Sequence, residues 1–221
     1  QTDSVVASVS GAIHLGSGLL GTALQIEANG ADLRDTLGRF DLDAGIPPVP
    51  YTISGAARFA PDGIDLRNAA VKLGTSTVEL DGLIGTSKGL AGTRVRINGN
   101  GPSMEELFSG LDNIDIFPGA FEIAATVSLS ESEILVEDFK LDRERGKIGL
   151  DARVGRPLSS NRLELDLDAS GLDVRSLFSD LGGFEPESAP FRIKALVKRD
   201  GGEWSFKPVQ ATLGIASLEA R

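Results

Sequence analysis

The sequence contains no cysteine, and only one histidine, one tryptophan, one tyrosine and one methionine. Without thiols, disulfide staples and thiolate metal sites are excluded. No apolar run approaches the roughly 18 residues needed to span a bilayer as a helix, and no basic-then-apolar segment opens the chain as a signal peptide would. If the protein is exported or membrane-anchored, the targeting segment is expected outside these 221 residues. Positive charge is also in deficit. The net charge is −10, with acids spread along the chain, and such a surface repels phosphate backbones, so no nucleic-acid partner is expected. Hydrophobic content is an ordinary 41%, which argues for a folded chain, and the length suffices to bury a core.

What is abundant is glycine, 27 residues, in a pattern that repeats. "GLLGTALQIEANG" (18–30) returns 71 residues later as "GLAGTRVRINGNG" (89–101), with seven of thirteen positions identical. Tyr51, Phe121 and Phe191 each follow a small residue and are spaced by 70 and 70. Leu66, Val136 and Phe206 keep the same step, as do Val71, Leu141 and Ala211. A fixed period is the mark of an array of similar units. The expected boundaries are 1–30 (partial), 31–101, 102–171 and 172–221 (partial), forming one continuous array over 1–221. Arg221 falls at the register of Asp81 and Asp151, so the sequence reads as a piece cut within its repeats.

Within a unit the side chains alternate. Tyr51, Ile53, Gly55, Ala57 and Phe59 face one way, with Thr52, Ser54, Ala56 and Arg58 opposite. A period of two is a strand. "PDG" (61–63) turns the chain, since proline fixes φ and glycine permits positive φ. "IDLRNAAVKL" follows as a second strand, bulged near Asn68 where the alternation slips. "TVELDGLIG" is a third, with Val78, Leu80 and Ile84 opposite Glu79 and Asp81, and "GTRVRIN" a fourth. A short helix then begins at Asp32, Ser103 or Asp173, which are N-capping residue types. Ser103 with Glu106 makes a capping box. The apolar residues at helical spacing are Leu33 and Leu37; Met104, Leu107 and Phe108; and Val174, Leu177, Phe178 and Leu181. Proline- or glycine-rich crossings ("GIPPVP", "IFPGA", "EPESAP") lead to the next unit. The expected fold is mainly β: a repetitive antiparallel sheet of ~70-residue units, each about four strands and one short helix, elongated and curved into an open groove.

Local motifs resolve against chemistry. "GSGLLG" (16–21) matches a dinucleotide fingerprint, but that site needs a helix after the glycines and "TALQIEA" alternates as a strand. His14 sits on an alternating stretch, where the sister unit has glycine, and reads as a surface residue. The pairs Asp41/Asp43, Asp112/Asp115 and Asp166/Asp168 fall short of the six to eight oxygens that calcium takes, and the last pair alternates with leucines as the wet side of a strand. Trp204, at the register of Ile64 and Ile134, reads as apolar filling, and "DRERGK" (142–147) as a solvated turn. No catalytic residue, metal or cofactor is expected. What remains is collective: strands with one apolar face that must be covered by protein or by ligand.

The segments "ANGADLRDTLGRF", "ASGLDVRSLFSDLGG", "PYTISGAARFAPDGIDLRNAAVKLGTSTVELDGLIG" and "FEIAATVSLSESEILVEDFKLDRERGKIGLDARVG" resemble the repeats of the AsmA-like family of bacterial envelope proteins, including its TamB type. The second unit departs with "RERGK" where "GTSTV" stands in the first. The resemblance implies a β-sheet trough crossing the periplasm, inner-membrane-anchored through a segment absent here. It would carry phospholipid along an apolar groove and support outer-membrane biogenesis. It implies groove-lining positions at Ile53, Leu66, Leu80, Val95, Ile123, Val136, Leu150, Leu165, Ile193 and Phe206, and phospholipid acyl chains and envelope membranes as partners. The alternative is a structural spacer or interaction scaffold that binds no lipid. An enzyme is disfavoured, because no polar constellation recurs or converges. Exposed sheet edges also predict self-association.

Overall fold

The fold is described from a computed structural model, over residues 5–14, 19–38, 49–103, 119–143, 146–156, 162–173 and 188–220. The chain divides into two compact units, Gln1–Phe121 and Glu122–Arg221. Both are almost entirely antiparallel β-sheet, with thirteen strands among the described residues.

In the first unit, β1 (Val6–Ala12), β2 (Ala23–Gly30), β3 (Tyr51–Ala60), β4 (Gly63–Leu73), β5 (Ser76–Gly85) and β6 (Thr93–Gly101) pair in chain order. Tight turns at Pro61-Asp62 and Gly74-Thr75 join β3 to β4 and β4 to β5, as the proline and glycine positions predict. One α-helix is described, α1 (Leu33–Gly38). Asp32 caps it, its Oδ1 accepting the Asp35 N–H at 3.2 Å. Leu33 is buried, so this short helix is held by docking rather than by propensity. The Leu37 side chain and the expected helices after Ser103 and Asp173 lie outside the described residues. So do most of the crossings, Asp41/Asp43 and Asp112/Asp115.

In the second unit, β7 (Phe121–Leu129, whose first residue belongs to the first unit), β8 (Glu133–Arg143), β9 (Gly146–Gly155), β10 (Leu163–Gly171), β11 (Phe191–Asp200), β12 (Glu203–Leu213) and β13 (Ala216–Ala220) also follow one another in chain order. The turn into β8 is closed by the Ser130 N–H donating to the Glu133 carbonyl at 2.9 Å.

The alternation slips where expected. Pairing of β4 with both neighbours shifts by one residue around Asn68, which adopts φ 49°. Asp138 in β8 does the same at φ 53°. Each is held by an aspartate from the next strand. Asp81 Oδ1 accepts the Asn68 N–H at 2.8 Å, and Asp151 Oδ1 accepts the Asp138 N–H at 2.7 Å. A left-handed backbone costs an L-residue roughly 1–2 kcal/mol, least for Asn and Asp. Short polar residues with a charged acceptor opposite are thus a reason for the bulge to form there. In sequence register the next copy has Pro208 and Arg221 at these two places. Proline lacks an N–H and cannot use such a clamp, yet β12 also shifts register against β11 between Ala195 and Val197.

The strand starts carry the best-buried anchors. Tyr51 is 4% exposed and Phe121 3%. Tyr51 lies directly opposite Gly30, where a Cβ would come within 2.6 Å of the ring. A Cβ at Gly101 would likewise meet the Phe121 ring at 2.8 Å. Glycine there leaves room for the neighbouring aromatic to lie flat across the strand. Phe191 opposes Gly171 and packs with Ala169, Ile148, Leu167 and Ile193.

Candidate ligand-binding face

Residues directly opposite one another in paired strands share a face of the sheet, so the registers assign the residues they pair to a side. In the first unit one face carries Ile26, Ile53, Phe59, Leu66, Val71, Val78, Leu80, Ile84, Val95 and Ile97. The other carries Gln25, Glu27, Arg58, Asp65, Lys72, Glu79, Asp81, Arg94 and Arg96. Ile53, Leu66, Leu80 and Val95 therefore share one apolar surface.

In the second unit Val136 opposes Ala152, which opposes Leu165. Leu150 opposes Phe139 and Leu167, Ile193 opposes Ala169, and Phe206 opposes Val197. Val136, Leu150, Leu165, Ile193 and Phe206 thus also lie on a single face. Ile123 alternates with Phe121, Ala125, Val127 and Leu129 along β7. Of the ten positions, Val95 is buried and Phe206 exposed, and the other eight are half-buried. A sealed two-layer core would bury most of them. No helix among the described residues is long and apolar enough to cross a membrane, which leaves strand-built spans open.

The opposite face is held by exposed ion pairs. Asp168 accepts from Arg192 at 3.0 Å and from Lys194 at 3.0 Å, and Glu164 pairs with Lys198 at 3.0 Å. Lys147 pairs with Asp142, directly opposite it in β8. The hydrogen bond from Arg192 holds the Asp168 carboxyl below the usual carboxylate range; slight burial opposes it, and Lys194 adds to the lowering. The same contact raises the Arg192 guanidinium. The face is a wet, charge-matched exterior, and Asp168 is part of it, as the alternation with leucines implies. Asp166, opposite Asp151 across the ladder, shares it.

Two readings are corrected. His14 does not lie within a strand: β1 ends at Ala12, and the His14 backbone N–H donates to Thr22 Oγ1 at 3.1 Å. Thr93 makes the same clasp to the Gly85 N–H at 2.9 Å, so this register needs only a backbone donor, which glycine supplies as well as histidine. Trp204 is not filling. It is 52% exposed, its ring stacked on Phe206 at 6.3 Å and under the Arg199 guanidinium at 5.1 Å. The cause is the residue opposite. Where Phe59 and Leu129 stand in the earlier copies, this copy has Arg199, directly across from Trp204. An apolar cross-strand pair has become a cation–aromatic one.

After Gly21 (φ 81°) the chain enters β2 directly, the strand that rules against a dinucleotide site; residues 16–18 of that motif are outside the described residues. No protein-family model, no curated protein and no solved structure matches the chain.

Proposed function

We propose that the apolar sheet face binds the acyl chains of phospholipid, and that the chain is a lipid-carrying segment of a periplasmic, inner-membrane-anchored envelope protein of AsmA-like or TamB type. The ~70-residue sequence repeat is then the structural unit, and the apolar face of each unit a stretch of groove. The observation that carries this reading is that Ile53, Leu66, Leu80 and Val95 in one unit, and Val136, Leu150, Leu165, Ile193 and Phe206 in the other, each share one face, and that all of these but Val95 keep part of their surface exposed. A partly exposed aliphatic face of this kind is a candidate binding site. Burial is worth about 0.8 kcal/mol per CH₂. Covering half of a chain of about 16 carbons therefore offers roughly 6 kcal/mol against the cost of ordering it. Head groups stay in water at the rim, and the reading requires no catalysis.

The test is lipid extraction and mass spectrometry of the purified protein. Phospholipid co-purifies with the wild type and is lost from Leu80→Asp and Ile123→Asp variants that keep the β circular-dichroism spectrum. A folded wild type free of lipid, and unable to take it up from vesicles, leaves the spacer or scaffold reading. That second reading draws on the exposed Val6 and Val9 of β1 and Leu218 of β13, strands that have one partner each among the described residues. They are surfaces for a protein neighbour.

A further inference from the structure

Among the second-unit residues that the registers assign to a side, two charged side chains lie on the apolar face, Arg143 and Arg199, and no acid. On the other face of this unit Arg153, Arg192, Lys194 and Lys198 each stand beside a carboxylate. Arg199 has none on its own side. Its Nε is buried and takes no hydrogen-bond partner, its guanidinium lies over Trp204, and Trp204 stacks on Phe206. Arginine does not shed its proton, and a half-buried charge without a counter-ion is costly. The arrangement also occurs in one copy alone, since Phe59/Ile64 and Leu129/Ile134 fill the corresponding pairs with apolar side chains. A fixed cation, an aromatic stack and an aliphatic sheet thus adjoin on one surface.

We propose that the Arg199–Trp204–Phe206 stack docks the oxyanion head of an amphiphile whose alkyl chain lies on the neighbouring apolar face. This rests on the acyl-chain reading above and narrows it to anionic ligands. The planar guanidinium presents paired N–H donors that match a phosphate or carboxylate. The rings beside it cover the first methylenes of the tail. The protein's net charge of −10 repels anions at long range, so a preference for an anionic head requires a local cation, and Arg199 is the one that adjoins the aromatic stack.

Trp204 is the only tryptophan, so its emission reports this site alone. The experiment titrates the intact chain with dodecyl phosphate, dodecyl maltoside and dodecyltrimethylammonium, each below its micelle concentration, and with inorganic phosphate. Dodecyl phosphate is expected to shift Trp204 emission with at least tenfold tighter half-saturation than the maltoside. The cationic detergent and inorganic phosphate should bind more weakly than the maltoside and dodecyl phosphate respectively. Arg199→Gln, with unchanged thermal unfolding, brings dodecyl phosphate to the level of the maltoside and leaves the maltoside unaffected; Arg199→Lys restores part of the difference. Equal binding of all three detergents, or a preference that survives Arg199→Gln, overturns the dock while leaving the acyl-chain reading in place. Inorganic phosphate binding as tightly as dodecyl phosphate also overturns it, because the tail then takes no part. Absence of any Trp204 response to the detergents overturns the dock, while the acyl-chain reading still stands or falls on the lipid-extraction test.

Discussion

Replacing Asp81 by alanine should destabilise the first unit by about 1–2 kcal/mol. The carboxylate accepts the Asn68 N–H at 2.8 Å, and a hydrogen bond to a charged group contributes roughly 1.5–3 kcal/mol. The site is exposed, so water can replace the acceptor and the low end applies. The bulge residue remains at φ 49°, a conformation worth about 1 kcal/mol of strain to a non-glycine residue, now without its restraint. Asp81→Asn keeps an oxygen acceptor and should lose about half as much. Combining Asp81→Ala with Asn68→Gly should cost less than the sum of the two, because glycine adopts the left-handed backbone freely. Urea denaturation followed by circular dichroism measures the stabilities. In a chain of this size each kcal/mol is also about 2–4 °C of Tm. Amide exchange at Asn68 reads the bond itself and should accelerate in Asp81→Ala. Glu79→Ala, two residues earlier on the same wet face, is the control and should stay within about 0.5 kcal/mol. If Asp81→Ala matches that control and Asn68 stays protected, the clamp is not what holds the bulge, and the same argument for Asp151 and Asp138 fails with it.

Gly82 adopts φ 134°, and a Cβ there would strike the Arg94 carbonyl oxygen across the ladder. Gly82→Ala should cost about 3 kcal/mol or more, whereas Gly92→Ala, at φ 88° but facing open space, should cost about 1 kcal/mol; urea midpoints compare them. Asp168 is bonded to Arg192 and its folded pKa lies below the unfolded one. Its contribution is therefore present above the ordinary carboxylate value of about 3.9 and fades as pH falls through the lowered folded value. Because the pair is exposed, Asp168→Asn should cost under about 1 kcal/mol at pH 7, with the gap to wild type closing as the pH falls through the lowered folded value; equal or growing losses in acid would contradict this.

How far the sequence carries depends on the range of the interaction. The strands and turns of residues 51 to 85 are written locally, in period-two alternation broken by "PDG" and "GTS", and the slip at Asn68 announced its own bulge. The Asp32 cap is equally local. Asp81 was legible only as a polar-face residue. That it reaches the Asn68 amide depends on the extra residue in β4 bringing an N–H toward β5, a consequence of pairing thirteen positions apart. The stack at Trp204 escaped for a related reason: alignment with Ile64 and Ile134 placed the residue correctly, but its environment is set by Arg199 across the hairpin. The signal was available, since the register holds Phe59, Leu129 and then Arg199, but it had to be sought in the partner strand. His14 was placed by an alternation that runs past the point where β1 stops pairing. The side on which the apolar residues gather followed from alternation alone; whether that side is covered did not, because cover comes from packing and not from period.

The central claim is that acyl chains lie on one face of the sheet and not on the other. The most direct measurement places a photoactivatable benzophenone residue at Leu80 or Leu165, and in parallel at Glu79 or Glu164 on the polar face, then irradiates the protein with phospholipid vesicles and detects lipid adducts by mass spectrometry. The account predicts adducts at Leu80 and Leu165 and none at Glu79 and Glu164. Adducts at all four positions alike, or at none, would contradict it.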